Sequence, residues 1–476
     1  MPQYDAPGAE VEPPGTPEPS RAPEHPPRRR AALLLLVGLA AVAGVAIALV
    51  LSRLVLAGPG AASPTPTGPP TATASGSSTA SGSATPSPDD TAARTAALAS
   101  LLAQRGTSVT SRDRDLFLAT VDPAATDFYA TQGELFDRVA GLELAAWSYA
   151  VTGDGPGFTP QRAAELPTGS VIVRVRLTYR LAGTDTTTDR EQYLTVVPRG
   201  GGWLVAADTD ASAAGLDTQR DLWDLGPVRV VRGASSLVLA DVRGATKAQV
   251  RRIADEADLA VHDVDDVWTG EWSREPLVVL PRSQQDMATL INSAGDGLAQ
   301  IAAVTTGSFE SGLSRGDRIV INPAAWDTLG ALGRRVVLTH EMTHVATRSS
   351  SVTAPPIWLS EGFADYVAYQ ASPVPVTIVA SDVLDDVHDG NIPQQLPTDD
   401  DFDASRGNIS AAYEGAWLAC RLIAQRYGEE KLVALYAAVT DSSGAGYPDE
   451  MREVLGIGER TLVRDWKAYL RDKAAA

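Results

Sequence analysis

The sequence predicts an α+β protein with a single transmembrane helix, a small α+β domain, and a larger mixed α/β domain that has a helical C-terminal part. Three patterns predict this organisation. The run from Ala31 to Leu51 is apolar and uninterrupted, the segment from Val171 to Leu181 alternates apolar and polar residues, and the segment from Ala331 to Thr347 has helical spacing. At 476 residues, the chain is long enough for two or three folded units and their linkers.

The composition of the chain argues against a nucleic-acid partner and against an intrachain disulfide. With 59 acidic and 40 basic residues, its formal net charge of -19 repels the phosphate backbone, so we expect no nucleic-acid partner. The single cysteine, Cys420, excludes an intrachain disulfide. It lies in an apolar helical pattern and is predicted to be a small buried apolar residue. A zinc-ligand cysteine is the alternative, but nothing near Cys420 has ligand spacing.

The N-terminal region is predicted to anchor the chain in the cytoplasmic membrane. Residues 1–30, rich in Pro, Glu and Gly, are predicted to form a disordered cytoplasmic tail. Residues 31–57 are predicted to form the transmembrane helix, since about 20 apolar residues span a bilayer core. Three arginines directly before this run place its N-terminal side in the cytoplasm and the rest of the chain outside. A cleaved signal peptide is the alternative, although its apolar core usually has only about 7–15 residues.

Two regions follow the apolar run. Residues 58–90 contain almost only Ala, Ser, Thr, Pro and Gly and are predicted to be a flexible linker. Residues 91–225 are predicted to form a small α+β domain, in which Gly200 to Gly202 make a tight turn between two antiparallel strands. Its predicted helices are Thr91 to Gln104, Asp115 to Val121 and Gly133 to Val139, and its predicted strands are Val171 to Leu181, Glu191 to Val197 and Trp203 to Ala207.

This order of elements, helices followed by a curved meander, resembles the nuclear-transport-factor-2-like cone fold. The resemblance rests on element order and involves no catalytic motif. Three arginines, Arg174, Arg176 and Arg180, alternate along its first strand and are predicted to form a solvated strand face. A ligand site on that face is the alternative.

Residues 226–476 are predicted to form the mixed α/β domain. The helix from Thr246 to Ala260 is expected to point Val250, Ile253 and Leu259 inward. Its predicted strands are Val228 to Val231, Leu237 to Ala240, Pro276 to Leu280, Ile301 to Thr306 and Arg318 to Ile321.

The helix that follows this sheet carries the motif His-Glu-x-x-His at residues 340–344. Side chains at i and i+4 project from the same helix face, so His340 and His344 can offer two imidazole nitrogens to one metal ion. Glu341 can take a proton from a water at that metal. The alternative is a pair of ordinary core histidines. The remaining histidines, His25, His262 and His388, lack ligand spacing and are predicted to be structural or exposed.

A catalytic zinc normally has three protein ligands and one open position, and Glu361 is the candidate third ligand. It lies in a second helical pattern from Trp358 to Gln370, with Asp365 one turn later. That spacing allows Asp365 to accept the other ring N–H of a ligand histidine and fix its tautomer. Small residues at Gly362 and Ala364 are expected to let the two helices approach closely. A surface role for Glu361 and Asp365 is the alternative.

These two segments resemble the gluzincin clan of zinc metallopeptidases, specifically its peptidase-MA-like branch, and look like the helix pair of the M1 aminopeptidases. The resemblance implies Zn²⁺ as cofactor, His340, His344 and Glu361 as its ligands, and Glu341 as general base. The segment Tyr413-Glu414-Gly415-Ala416 is similar to the Tyr-x-x-Gly segment near the catalytic tyrosine of the family. By that resemblance Tyr413 would stabilise the oxyanion of the tetrahedral intermediate. An ordinary packing tyrosine is the alternative. The Gly-x-Met-Glu-Asn segment of M1 enzymes is missing, so exopeptidase activity does not carry over.

The sequence thus favours a membrane-anchored zinc metallopeptidase that hydrolyses peptide bonds of a peptide or protein substrate outside the cytoplasmic membrane. A catalytically silent surface binding or scaffold protein on the same fold is the alternative. In either case, residues 91–225 could recruit a partner or block the cleft.

Overall fold

A computed structural model describes residues 88–184, 187–293, 295, 297–310, 313–403, 409–441 and 447–476. The predicted cytoplasmic tail, the transmembrane helix at 31–57 and nearly all of the linker lie outside these residues. Within the described segments, no helix combines the length and the apolar character needed to cross a membrane.

The N-terminal half contains α1 (Pro88–Thr110), α2 (Arg114–Leu118), α3 (Thr126–Ala140), β1 (Leu144–Asp154), α4 (Pro160–Glu165), β2 (Val171–Leu181), β3 (Thr188–Arg199), β4 (Gly202–Ala207) and the short α5 (Leu222–Leu225). Its four strands form an antiparallel sheet in the order β1-β2-β3-β4, and α1 and α3 pack against this sheet. The predicted strand at Val171–Leu181 is confirmed with the same bounds. Strand β1 was not predicted, because four of its eleven residues are Ala or Gly, which have low strand propensity. Gly200 and Gly201 both have positive φ, +57° and +83°, as a tight hairpin turn of this kind requires.

The second half begins with β5 (Val228–Arg232), β6 (Leu237–Asp241), α6 (Lys247–Asp265), β7 (Leu277–Leu280), α7 (Gln284–Leu290), β8 (Ala303–Glu310) and β9 (Leu313–Ile321). Its strands form a five-stranded mixed sheet in the order β5-β6-β7-β9-β8. Strands β6, β7 and β9 are parallel, while β5 and β8 run antiparallel to their neighbours and form the two edges.

Both faces of this mixed sheet are buried, because successive side chains of a strand point to opposite faces. On one face, residues such as Val238, Val278 and Ile319 share a core with α6 and the C-terminal helices. On the other face, Leu239 and Val279 share a core with the N-terminal half. The N-terminal half therefore packs on one face of the sheet, and the helix bearing the His-Glu-x-x-His motif packs on the other.

The prediction for α6 was wrong at one position. Leu259 is 45% exposed, whereas Val250 and Ile253 are buried as expected. Leu259 lies nine residues after Val250, and nine steps of about 100° place it on the opposite side of the helix. The inward face continues instead through the small residues Ala257 and Ala260.

The chain ends in a layer of helices: α8 (Pro323–Trp326), α9 (Ala331–Arg348), α10 (Ile357–Ala368), α11 (Val376–Val379), α12 (Ser381–His388), α13 (Ile409–Tyr427), α14 (Glu429–Asp441), α15 (Tyr447–Leu455) and α16 (Glu459–Ala474). Helix α10 packs against both α9 and α13. A Cβ atom added at Gly362 would lie 2.4 Å from the Ala416 carbonyl oxygen and 3.0 Å from Cys420 Sγ, so this glycine permits close contact with α13. The expectation that Gly362 serves the contact between the two motif helices was therefore wrong. Cys420 itself is buried, as predicted.

Candidate metal centre

Helix α9 is almost entirely buried from Val336 to Thr347, and it points two histidines toward one spot. His340 and His344 lie one turn apart, so their rings meet edge to face with centroids 4.8 Å apart. Their Nε2 atoms are 3.1 Å from each other. Both residues are buried, which places two potential ligand nitrogens side by side away from bulk solvent.

Helix α10 supplies a carboxylate to the same spot. One oxygen of Glu361 lies 3.3 Å from His340 Nε2 and the other lies 3.1 Å from His344 Nε2. Ligand atoms of His340, His344 and Glu361 all fall within 4.8 Å of one another. Within the described part of the chain, neither oxygen of this fully buried carboxylate has a hydrogen-bond partner of good geometry.

Electrostatics favour the ionised form of Glu361. Burial acts to raise the pKa of this carboxyl, but the neighbouring His344 and His340 outweigh burial and hold the pKa at about 2. A buried carboxylate without hydrogen bonds is costly unless a cation satisfies it. Two imidazoles and one carboxylate are a ligand set that suits zinc, so the residues present fit that ion.

Asp365, one turn after Glu361, fixes the orientation of His340. Its Oδ1 lies 2.9 Å from His340 Nδ1, and both groups are buried. An ionised carboxylate can only accept, so in the neutral ring that a metal ligand needs, Nδ1 would carry the proton and Nε2 would present its lone pair to the centre. Burial opposes the charged imidazolium, but Asp365 and Glu361 together raise the pKa of His340 well above its ordinary value.

Glu341 lies beside the ligands and is held by a residue that the sequence analysis missed. Thr305 on the edge strand β8 donates from Oγ1 to Glu341 Oε2 at 2.7 Å and lies 3.0 Å from the Glu341 carbonyl oxygen. The other carboxylate oxygen, Oε1, has no hydrogen-bond partner among the described residues. Burial raises the pKa of Glu341 despite the nearby His340 and His344. Thr305 lies in the strand predicted from Ile301 to Thr306, but no motif distinguished it.

Tyr413 belongs to the second turn of α13, since that helix begins at Ile409. Its side chain is buried, packs edge to face against Phe402 with centroids 5.0 Å apart, and leaves its hydroxyl without a well-formed hydrogen bond in the described structure. Burial, with contributions from Glu361 and Asp365, raises the pKa of Tyr413 well above its ordinary value. The phenol is thus protonated at neutral pH and can donate a hydrogen bond.

The other candidate residues lie elsewhere. His262 and His388 are exposed, as predicted, while His25 lies outside the described residues. Cys420 does not belong to the His340, His344 and Glu361 cluster. On β2, Arg174 is exposed and lies 3.6 Å from Glu191, and Arg180 donates to the carbonyl of Thr184, which fits a solvated strand face.

Comparisons with known proteins give a limited picture. No protein-family model matches this sequence, and no curated protein matches it. The chain is similar to the crystal structure of an M1 zinc metallopeptidase from Deinococcus radiodurans, with a TM-score of 0.33 and 13% identity over 67% of this chain and 60% of that one. A mutant of that enzyme bound to a Tyr-Ser-Ala substrate has a TM-score of 0.30 and 14% identity, over 67% of this chain and 60% of that one.

A mutant of a two-domain M1 zinc metallopeptidase bound to L-arginine gives a TM-score of 0.30 and 12% identity, over 59% of this chain and 58% of that one. The chain thus spans about 60% of the length of the first of these structures.

Proposed function

We propose that this protein is a zinc metallopeptidase that hydrolyses peptide bonds. The observation that carries the proposal is the convergence of His340, His344 and Glu361 at one buried point, with Glu341 beside them. The chemistry that a bound zinc ion supplies in such a site is activation of water and polarisation of the scissile carbonyl. The carboxylate of Glu361, already ionised, would then be the third ligand of that ion.

The protein's own residues have distinct roles in this proposal. Glu341 is the general base, which takes a proton from the attacking water and passes it to the leaving amine. Thr305 fixes the Glu341 carboxylate through Oε2, leaving Oε1 free to face the water. Asp365 holds His340 in the tautomer that a ligand needs. Tyr413, a protonated phenol at neutral pH, donates to the oxyanion that forms from the carbonyl.

Substrate would approach along the edge strand β8, which contains Thr305. An edge strand carries unpaired backbone groups that can pair with an extended peptide. Because the sequence lacks the Gly-x-Met-Glu-Asn segment, the proposal does not extend to an aminopeptidase. We also propose that the apolar run at 31–57 anchors the enzyme in the cytoplasmic membrane with the metal centre outside, on the basis of its length and the arginines before it.

The test uses the full chain in lipid nanodiscs, with zinc content and hydrolysis of a quenched-fluorescence peptide library as readouts. Glu341→Gln should retain zinc and lose about 10²- to 10⁴-fold in kcat, the usual contribution of a general base. Glu271→Gln, at an exposed glutamate, is the matched control and should behave like the wild type.

Full activity in Glu341→Gln would end the peptidase proposal. A protein that binds no zinc and whose thermal stability is unchanged by chelator would favour the silent binding or scaffold protein instead. The complete set of ligands, base and orienting carboxylate argues for the enzyme.

A further inference from the structure

The turn of α13 that carries Tyr413 is held by neighbours that the mechanism above does not use. Tyr413 is the fifth residue of this helix, so only one turn of α13 precedes it. The first turn of a helix has fewer internal hydrogen bonds than its middle, because its leading N–H groups have no partner within the helix. The position of the phenol therefore depends on what the rest of the protein packs and bonds against this turn.

Glu414, the residue after Tyr413, links this turn to the start of α12. Its side chain is only 4% exposed, and its Oε2 accepts the backbone N–H of Val383 at 2.8 Å. Val383 is the third residue of α12, where the backbone N–H groups also lack partners within the helix. Glu414 thus satisfies a buried N–H of one helix with a side chain from the next. Because the two residues are consecutive in a helix, a shift of the backbone at Glu414 also shifts Tyr413.

Trp466 of the C-terminal helix α16 holds the same turn from another side. The residue is 1% exposed, and its Nε1–H donates to the backbone carbonyl oxygen of Gly415 at 3.0 Å. A Cβ atom added at Gly415 would lie 3.2 Å from the indole ring, so the glycine lets this ring lie directly against the backbone of α13. A helix 51 residues further along the chain therefore contacts the turn that presents the phenol.

These contacts act from different directions around α13. Successive residues of a helix point about 100° apart, so Tyr413, Glu414 and Gly415 face three different neighbours. The ring of Tyr413 packs edge to face against Phe402, and one turn later Ala416 lies against Gly362 of α10. The Tyr413 side chain points from this clamped turn toward the candidate metal centre, where Glu361 contributes to the rise in its pKa.

We propose that Glu414 and Trp466 are positioning residues that hold the Tyr413 phenol where the oxyanion forms. Their role rests on the proposed function, because it requires Tyr413 to be the oxyanion donor. Neither residue belongs to the cluster of His340, His344 and Glu361, so both act through the backbone of α13. A hydrogen-bond donor stabilises an oxyanion only at the right distance, and a displacement of about 1 Å can cost about 10²-fold in rate.

Kinetics of the full chain in lipid nanodiscs, with a quenched-fluorescence peptide as substrate, test this role. Glu414→Met removes the acceptor and keeps the length of the side chain, and should lower kcat about 10- to 100-fold with KM and zinc content unchanged. Glu414→Gln keeps an accepting oxygen and should retain kcat within about twofold. Trp466→Phe removes the donor and should lower kcat about tenfold. Glu430→Met, at an exposed glutamate of α14, is the matched control and should behave like the wild type.

Double-mutant cycles separate positioning of the phenol from a general effect on the fold. Tyr413→Phe alone should lower kcat about 10²- to 10³-fold, the usual contribution of one oxyanion donor. Adding Glu414→Met or Trp466→Phe to Tyr413→Phe should then change kcat less than about twofold, because no donor is left to position. Adding either change to Thr305→Val should keep its full effect, because Thr305 acts on Glu341.

The outcomes distinguish this role from the proposed function. Wild-type kcat in a folded Glu414→Met or Trp466→Phe protein overturns the role of that residue, and so does an equal loss in the Tyr413→Phe and Thr305→Val backgrounds. A loss in Glu414→Gln as large as in Glu414→Met also overturns the role of Glu414. Both results leave the peptidase activity of the wild type intact.

Full activity in Tyr413→Phe removes the oxyanion donor and its two positioning residues together, while Glu341 remains the base. A wild-type protein that hydrolyses no peptide overturns this role and the proposed function alike. If Glu414→Met does not fold, as judged by circular dichroism, the cycle between Trp466→Phe and Tyr413→Phe decides the test.

Discussion

Two buried charged clusters lie on opposite sides of the mixed sheet, and they differ in how their groups are satisfied. At the candidate metal centre, the oxygens of Glu361 face two imidazoles and have no well-formed hydrogen bond in the described structure. At the contact between the two halves, Asp221 accepts from Tyr179 at 3.0 Å, from Arg190 at 3.2 Å and from Arg318.

The two clusters show how a binding site can be distinguished from a structural ion pair. Burial acts to raise the pKa of Asp221, but Arg190 and Arg318 outweigh it and lower that pKa, so the carboxylate is ionised and satisfied from within the protein. Glu361 is also ionised, yet nothing in the described chain completes its hydrogen bonding. Buried polar groups that are left unsatisfied and converge on one point indicate a ligand, whereas satisfied ones indicate a role in the fold.

The largest expected effect comes from breaking the Asp221 cluster. Asp221→Ala leaves two arginines buried without their carboxylate, and should lower the free energy of unfolding by about 3–5 kcal/mol. Urea denaturation of the full chain measures this. Asp137→Ala is the control, since the exposed Asp137–Arg114 pair should contribute less than about 1 kcal/mol. Equal effects of the two variants would show that the Asp221 cluster does not hold the halves together.

Glu414 offers a third case, a buried carboxyl that accepts the backbone N–H of Val383 at 2.8 Å. Burial raises the pKa of Glu414 to about 9. Because the folded pKa exceeds the unfolded value near 4.5, the stabilisation from the neutral acid is full below about pH 4.5 and is lost as pH rises to about 9. Over this pH range, the free energy of unfolding should fall by on the order of a few kcal/mol. Glu414→Gln should flatten this part of the stability–pH curve, and an unchanged slope would contradict the assignment.

A smaller effect is expected from the carboxylate that orients His340. Asp365→Asn can still accept the hydrogen bond from Nδ1 but removes the negative charge, and should weaken zinc binding by about 10- to 100-fold. Competition with a zinc chelator measures the affinity. Asp385→Asn, at an exposed position of α12, is the control. Zinc affinity equal to that of the wild type would mean that Asp365 has no role in orienting a metal ligand.

The smallest expected effect is at Thr305. Thr305→Val keeps the shape and removes the donor to Glu341, and should lower kcat about tenfold with KM and zinc content unchanged. Thr305→Ser should restore most of the activity. Thr306→Val on the opposite side of the strand is the control. An effect on KM alone would mean that Thr305 contacts substrate and does not position the base.

Much of the local structure could be predicted because the relevant patterns are local. The alternation in β2 gave its bounds, and the helix predicted from Ala331 to Thr347 extends by only one residue. Strand β1 was missed because its alanines and glycine lack the branched side chains that mark strands. Leu259 is exposed although it is apolar, because its angle on the helix, nine residues after Val250, points it away from the core.

Helical periodicity fixes which neighbouring side chains share a face, so the amino-acid sequence is enough to place His340 and His344 one turn apart, with Glu341 next to His340. Tertiary packing is needed to bring Glu361 to the two histidines, Thr305 to Glu341 and Asp221 to Arg318 across the two halves. Each of these contacts joins residues from different helices and strands, and local periodicity does not determine which distant segments pack together.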